Sequence, residues 1–245
     1  MPNTNHLVGR IYHMVHFDNL MSIFRRQALL SKERIIQEKA HYNSIAYDTV
    51  QNLRDRVLVF DSTKGLFRSI HNYVPFYFAL LTPMLYVQYQ KRIQNQIVIL
   101  EVERIILKEL GILFTDGNAS NQQLSINSQE IVRIMPATSK HDACRRRYYP
   151  NGPHGSNPNC TNFYGDPIFL DRLNWDIING KYFTGSERTR IKHAEVLVPD
   201  SVSIKWISGI AVSSQAMIIA VNDLSARCGL SSRIPLATYK PEMFF

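Results

Sequence analysis

Hydrophobic positions in this chain fall into short runs rather than long amphipathic stretches. Arg10 to His16 is rich in β-formers and reads as a strand. Asp18 is a good N-cap for a helix from Asn19 to about Gln27, whose Leu20, Ile23 and Phe24 share one face. Residues 31–56 are polar and irregular, and Val57 to Phe60 is a short strand. Tyr73 to Phe78 is aromatic and β-prone, but Pro75 cannot donate to a ladder, so an edge or a bulge is expected there. Such a stripe suits a core as well as a pocket wall. Thr82-Pro83 opens a helix through Met84, Leu85, Val87 and Tyr89, with Pro83 at its first position. Ile97 to Val102 reads as a buried strand, Glu103 to Leu110 as a short helix, and Ser128 to Met135 as another helical turn or two. Further on, Ile168 to Ile178 looks helical, Ile191 to Val198 and Ser203 to Val212 read as strands, and Gln215 to Cys228 is an amphipathic helix stopped by Gly229. The tail from Arg233 adds a last short strand. The pattern predicts an α+β chain with about six or seven strands.

One of those strands carries a single carboxylate, Glu195, between Ala194 and Val196. A carboxylate among apolar neighbours needs a partner or a task; the plainer alternative is an edge glutamate facing water. Upstream, residues 138–190 are polar, punctuated by Pro150, Pro153, Pro158 and Pro167, and basic at Arg145-Arg146-Arg147 and again at Arg188 to Lys192. A loop of that length in a compact domain is functional or disordered.

Composition adds a polyanion to this picture. Twenty-eight Lys and Arg against 20 Asp and Glu leave +8 over 245 residues, which favours an anionic partner. Three cysteines, Cys144, Cys160 and Cys228, are too few for a disulfide framework and point to a reducing cytoplasm. No signal peptide, membrane span or internal repeat is legible. His141, Cys144, His154 and Cys160 match no structural zinc spacing, so no metal is expected. Glycine-rich dinucleotide and phosphate loops and the common hydrolase motifs are also missing from the sequence.

Three stretches together resemble the DarT family of bacterial DNA ADP-ribosyltransferase toxins: Ile11 to Leu20 (IYHMVHFDNL), Tyr73 to Tyr86 (YVPFYFALLTPMLY) and His193 to Val198 (HAEVLV). The resemblance implies one domain over residues 1–245 with a fold of the poly-ADP-ribose-polymerase type, two small sheets around an NAD cleft. It implies NAD contacts at His16, Phe17, Asp18 and Asn19, with Arg25 a weaker one. Residues from about 40 to 58 would cover NAD, Arg54 would be the catalytic arginine (Arg56 being the other candidate), and Glu195 the catalytic glutamate. Residues from about 139 to 195 would present the substrate base. The family implies single-stranded DNA as acceptor, thymine or guanine as the modified base, and a DarG-like macrodomain antitoxin as partner. One departure concerns recognition: Leu81 stands where many relatives carry an arginine.

The chemistry needs little else. Breaking the nicotinamide–ribose bond leaves positive charge on the sugar, which a carboxylate at the ribose stabilises and orients; Glu195 is the candidate. Arginine is a poor base, because its pKa lies above 12, so Arg54 is expected to bind phosphates and the anionic base. Phosphates would lie along Arg145, Arg146, Arg147, Lys181, Arg188, Arg190 and Lys192, with His193 a further DNA contact, and bases would stack on Tyr148, Tyr149, Tyr182 and Phe183. A merely solvated basic loop is the competing reading. Transfer to RNA or protein, and a non-catalytic nucleic-acid-binding module in which Glu195 is structural, are the alternatives.

Overall fold

The computed structural model describes residues 4–122, 131–137, 147–149, 152–154 and 160–245. Its centre is an eight-stranded sheet in the order Phe163–Tyr164, Leu113–Thr115, Glu195–Pro199, Tyr73–Tyr77, Arg10–His16, Ile97–Glu103, Ile207–Val212, Ala237–Tyr239. The register alternates cleanly across it. Val98, Leu100 and Val102 face a large core that also holds Ile11, Val15, Phe76 and Val196. Ile97 and Ile99 face the other side, with Met14, Leu85 and Ala211. Residues 97–102 are therefore buried on both faces, which is why they read as a continuous apolar run.

The eight strands form two halves that barely touch. Arg10–His16 pairs along its whole length with Ile97–Glu103, and Tyr73–Tyr77 along its whole length with Glu195–Pro199. Between the halves, only Tyr12 and Tyr77 are in register. Pro75 lies at this split. An edge or a bulge was the expectation; the structure instead puts Pro75 in an interior strand, on the side where the ladder is missing. Its carbonyl accepts from His13 Nδ1 at 2.7 Å across the gap, so its missing N–H points where no ladder bond is lost.

A second sheet, in the order Gly152–His154, Arg147–Tyr149, Val132–Ile134, Val57–Asp61, Leu66–Ser69, covers the Glu195 half. Val57, Val59, Val132 and Ile134 meet Tyr73, Leu113 and Leu197 between the two sheets. A two-stranded pair, Ala28–Leu30 with Ser201–Ser203, completes the β-structure. The α+β expectation holds in kind, with fifteen strands among the described residues rather than six or seven.

Several local expectations are corrected. Residues 31–56 hold two helices, Lys32–Gln37 and Asp48–Arg54. Val132–Ile134 is a strand, not a helical turn, because it pairs in parallel with Val57–Asp61. Ile191 belongs to the helix Ser186–Lys192, so the strand begins only at Glu195. Glu187 and Arg190, three residues apart, pair along that helix. The first helix is Leu20–Arg26, preceded by a 3-10 turn that His16, not Asp18, caps.

The helix Pro83–Gln90 begins as expected: the Thr82 hydroxyl accepts the Leu85 N–H at 3.2 Å from a fully buried position. Thr82→Ala should therefore lower unfolding free energy by about 1 kcal/mol, read from urea midpoints. A loss within error would mean that the cap adds nothing to the packing of Leu85.

Candidate active site

Glu195 starts an interior strand and is 1% exposed; a water-facing edge position is excluded. Its Oε1 and Oε2 each lie 3.1 Å from Arg54 Nη1. Oε1 also accepts the Ala119 N–H at 2.9 Å, and the Glu195 N–H donates to Thr115 Oγ1 at 3.1 Å. A carboxylate taken out of water is costly unless it is both paired and hydrogen-bonded, and here it is both. One nitrogen spanning two oxygens is a looser hold than a two-nitrogen fork. Of the two arginines left open by the sequence, Arg54, at the end of the helix Asp48–Arg54, is the one that meets the glutamate.

A cleft opens beside this pair, where the sheet halves part. His13, Pro75 and Tyr77 line it from the strands, Asn19 and Arg26 from the first helix region, Lys32 from the second helix, and Tyr42, Gln51 and Arg54 from the segment above, with His71 and Tyr73 alongside. Arg54 reaches the cleft wall with Glu195 behind its guanidinium. Segment 40–54 is anchored by a reciprocal pair. Asn19 Nδ2 donates to Asn43 O at 2.9 Å, and Asn43 N donates to Asn19 Oδ1 at 2.6 Å.

The sequence-based site residues divide sharply. Arg54 and Asn19 line the cleft, and Glu195 pairs with Arg54 behind its wall. His16 instead caps the turn: its Nδ1 accepts the Asp18 N–H at 3.2 Å, so Nε2 carries the proton and donates to Gln96 Oε1 at 2.7 Å. Phe17 packs on the main core, and Asp18 is exposed beside His16. Arg25 is exposed away from the cleft, and its neighbour Arg26 lines it. His13, three residues earlier in the strand, is in the cleft wall. His13, Arg26, Lys32, Tyr42 and His71 carried no local signal, because only the folding of segment 28–54 over the split brings them together.

The proposed DNA residues divide too. Lys181 and Tyr182 are exposed, as is Arg188. Lys192 is buried, with Nζ donating to Ile178 O at 2.7 Å and to Gly180 O; burial lowers its pKa to about 8. It ties two segments together and cannot reach phosphate. Arg190 is likewise engaged, with Asp116 and Glu187. His193 turns inward: its Nδ1 donates to Thr189 O at 2.9 Å, its ring faces Tyr77, and burial keeps the imidazole below its usual range. Phe183 packs against Tyr86 and Phe245. Arg145 and Arg146 lie outside the described residues, and Arg147 is described only as part of a strand. Of the zinc candidates, His141 and Cys144 lie outside as well; no cluster of metal ligands occurs among the described residues.

The electrostatics favour a neutral phenol beside the Glu195 carboxylate. Burial, and then the Glu195 charge, push the Tyr77 phenol well above its usual range, and Arg54 only partly offsets them. A guanidinium and an un-ionised tyrosine in the wall of a cleft, with a carboxylate paired behind the guanidinium, can orient a polar ligand and stabilise positive charge that develops on it.

A family model described as "ssDNA thymidine ADP-ribosyltransferase, DarT" matches residues 12–134 and 150–245. The chain belongs to the DarT family. Two relatives named DNA ADP-ribosyl transferase are similar over shorter stretches. The one from Thermus sp. (strain 2.9) is 40% identical over 35% of this chain and 38% of its own length. The one from Thermus aquaticus is 29% identical over 46% and 51%. The chain thus spans about half or less of these relatives in alignment. Among solved structures, Thermus sp. 2.9 DarT in complex with ADP-ribosylated ssDNA superposes with a TM-score of 0.73 at 24% identity, over 96% of each chain. The same protein with NAD+ gives 0.69 at 22% identity, over 96% and 97%. Thermosipho africanus DarTG in complex with ADP-ribose gives 0.64 at 22%, over 96% of this chain and 51% of that one. These likenesses establish a DarT-type ADP-ribosyltransferase fold for the chain.

His71 offers a test of how this DarT cleft is charged. Burial, then the charges of Arg54 and Lys32, lower its imidazole to about 4, against a smaller upward pull from Asp55 2.7 Å away. With the unfolded value near 6.5, the unfolded chain binds more protons than the folded one between those limits. Stability from this group is therefore intact above about pH 6.5 and falls as pH drops toward about pH 4. His71→Gln should remove ~2 kcal/mol of the stability lost between about pH 7 and about pH 4.5. Urea melts of both proteins at the two pH values check this; equal losses would show that His71 titrates normally.

Proposed function

We propose that this protein is an NAD-dependent transferase that moves ADP-ribose onto a base of single-stranded DNA, releasing nicotinamide. The observation that carries the reading is the buried Glu195–Arg54 pair at the wall of a cleft between two sheet halves, in a chain of the DarT family. NAD fits the donor set: Arg26, Lys32 and Arg54 offer cations for a pyrophosphate, and Tyr42 and Tyr77 offer ring faces. When bound, it supplies an ADP-ribosyl group whose nicotinamide is ready to leave. Segment 40–58 is the cover over it.

Glu195 orients the ribose and stabilises the charge that develops there. Arg54 pairs with the glutamate, binds phosphate and steadies the anionic form of the accepting base, and as a guanidinium it takes no proton. The proton lost by the base passes to Glu195 or to water. Thymine is favoured as the base by the family description, and Leu81 leaves room for a different sequence context. A base edge is out of reach inside a stacked duplex, so a single strand or a flipped base is the acceptor. The exposed Lys181, Tyr182 and Arg188, with Arg145 to Arg147, supply phosphate and stacking contacts. A cytoplasmic setting suits the sparse cysteines, and a macrodomain antitoxin is the expected partner; among the described residues no helix is long and apolar enough to cross a membrane.

The deciding experiment incubates the protein with labelled NAD and single-stranded DNA, RNA and duplex oligonucleotides, and locates the adduct by mass spectrometry. An adduct on a DNA base is expected; label on RNA or on protein alone would redirect the acceptor. Glu195→Gln should lower transfer about a hundredfold or more with the fold retained, and wild-type rates would remove Glu195 from the chemistry. Neutralising Lys181 and Arg188 together should weaken DNA binding across sequences and reduce the slope of log affinity against log salt by about 2. An unchanged slope would place the DNA elsewhere.

A further inference from the structure

Arg190, expected at the DNA surface, has a side chain only 10% exposed. Its Nε and Nη2 grip the Glu187 carboxylate at 3.0 and 2.9 Å. Its Nη1 lies 3.4 Å from both the backbone and side-chain oxygens of Asp116. The guanidinium covers Gly117: a Cβ there would meet Arg190 Nη1 at 2.5 Å. The Arg190 carbonyl also accepts the Asn118 N–H at 3.0 Å. These contacts bracket a turn, 115–119, that serves Glu195 directly. Ala119 N–H donates to Glu195 Oε1 at 2.9 Å. Gly117 O receives the Thr115 hydroxyl at 2.7 Å, and that hydroxyl accepts the Glu195 N–H at 3.1 Å. Asn162 ties Asp116 from the opposite side, at 2.9 and 2.7 Å.

We infer that Arg190 is a positioning residue for Glu195, acting through the 115–119 turn and the Ala119 N–H. The inference rests on the reading of Glu195 as the carboxylate of ribosyl transfer. The acid has two holds of different kinds. Arg54 also forms the cleft wall, so its position answers to whatever enters. Ala119 N–H belongs to a turn clamped from outside the cleft, and it keeps its aim when Arg54 moves. A backbone N–H on a carboxylate favours the charged form and fixes its plane. Arg190 sits five residues before Glu195 on the helix that leads into the strand, so helix, turn and acid are locked as one unit. Loosening the turn weakens the hold on the anion without altering the cleft that binds the dinucleotide.

The test measures nicotinamide release by the full chain across pH, without DNA and with single-stranded DNA, for Arg190→Met, Arg190→Lys, Gly117→Ala and the Arg190→Met/Gly117→Ala double variant, with Glu195→Gln as control. Arg190→Met should lower kcat about tenfold while leaving the KM for NAD within about twofold. The acid limb of the pH profile should move up by about half a pH unit, and Arg190→Lys should recover part of both. Gly117→Ala displaces chiefly the guanidinium, with tighter contacts to Thr161 Oγ1 and Arg190 Cγ at 3.0 and 3.1 Å, and should shift the limb in the same direction by less. The double variant should be no worse than Arg190→Met, because both act through one contact. Additive effects, or an unchanged kcat and pH limb with weaker DNA binding, would overturn the inference and return Arg190 to the DNA surface. Retained cleavage in Glu195→Gln would instead overturn the reading of Glu195, so the two failures are distinct. Should Arg190→Met fail to fold by circular dichroism, the limb shift of Gly117→Ala decides.

Discussion

Burying the Glu195 carboxylate in the middle of a sheet is the constraint around which this molecule is arranged. The effective cost of taking such an ion out of water is several kcal/mol, and an ion pair repays it only with good geometry and further hydrogen bonds. That requirement explains why a helix ends at Arg54 above the sheet, and why a turn presents the Ala119 N–H from the far side. A hydrophobic residue at position 195 would make a simpler core. The pair is therefore read as serving chemistry rather than stability, and its supporting contacts as the means of keeping a charged acid aligned where water does not reach.

The second organising feature is the near-severed sheet. A fully laddered pair between Arg10–His16 and Tyr73–Tyr77 would close the space that the cleft occupies. One register pair, Tyr12 with Tyr77, holds the halves together at the end nearest Glu195, while Pro75 lacks the donor that would extend the ladder and His13 covers its carbonyl. Segment 28–54 then crosses the opening, fixed by Asn19 to Asn43. The cleft and the segment that crosses it thus follow from one interruption in strand pairing.

Charge is partitioned in a way that net charge conceals. Of the basic residues between 181 and 192, Arg190 and Lys192 point inward and spend their donors on Asp116, Glu187 and backbone carbonyls. Lys181 and Arg188 remain at the surface, near the 78%-exposed Tyr182. A basic run close to an active site is thus part scaffold and part contact surface, and substitutions within it are expected to fall into two phenotypes.

Much of this was legible in the chain itself. Strand Arg10–His16, the capped helix after Thr82, the doubly buried run 97–102 and the Gly229-stopped helix all follow from local periodicity and turn chemistry, which act over a few residues. Glu195 stood out because an acid among apolar neighbours demands compensation, and Arg54 was named beside it from the family motifs. What the sequence could not determine is contact across distance. The two helices in 31–56 are short and weakly patterned, and Val132–Ile134 is a strand only because Val57–Asp61 lies beside it. Pro75 is interior rather than at an edge because the sheet is split at its side. That His13 and Arg26 line the cleft while His16 and Arg25 do not turns on which way a side chain points. The clamp of Arg190 on a turn some seventy residues earlier in the chain has no local trace at all. Periodicity reports which residues must leave water; tertiary structure alone decides which of the buried ones meet.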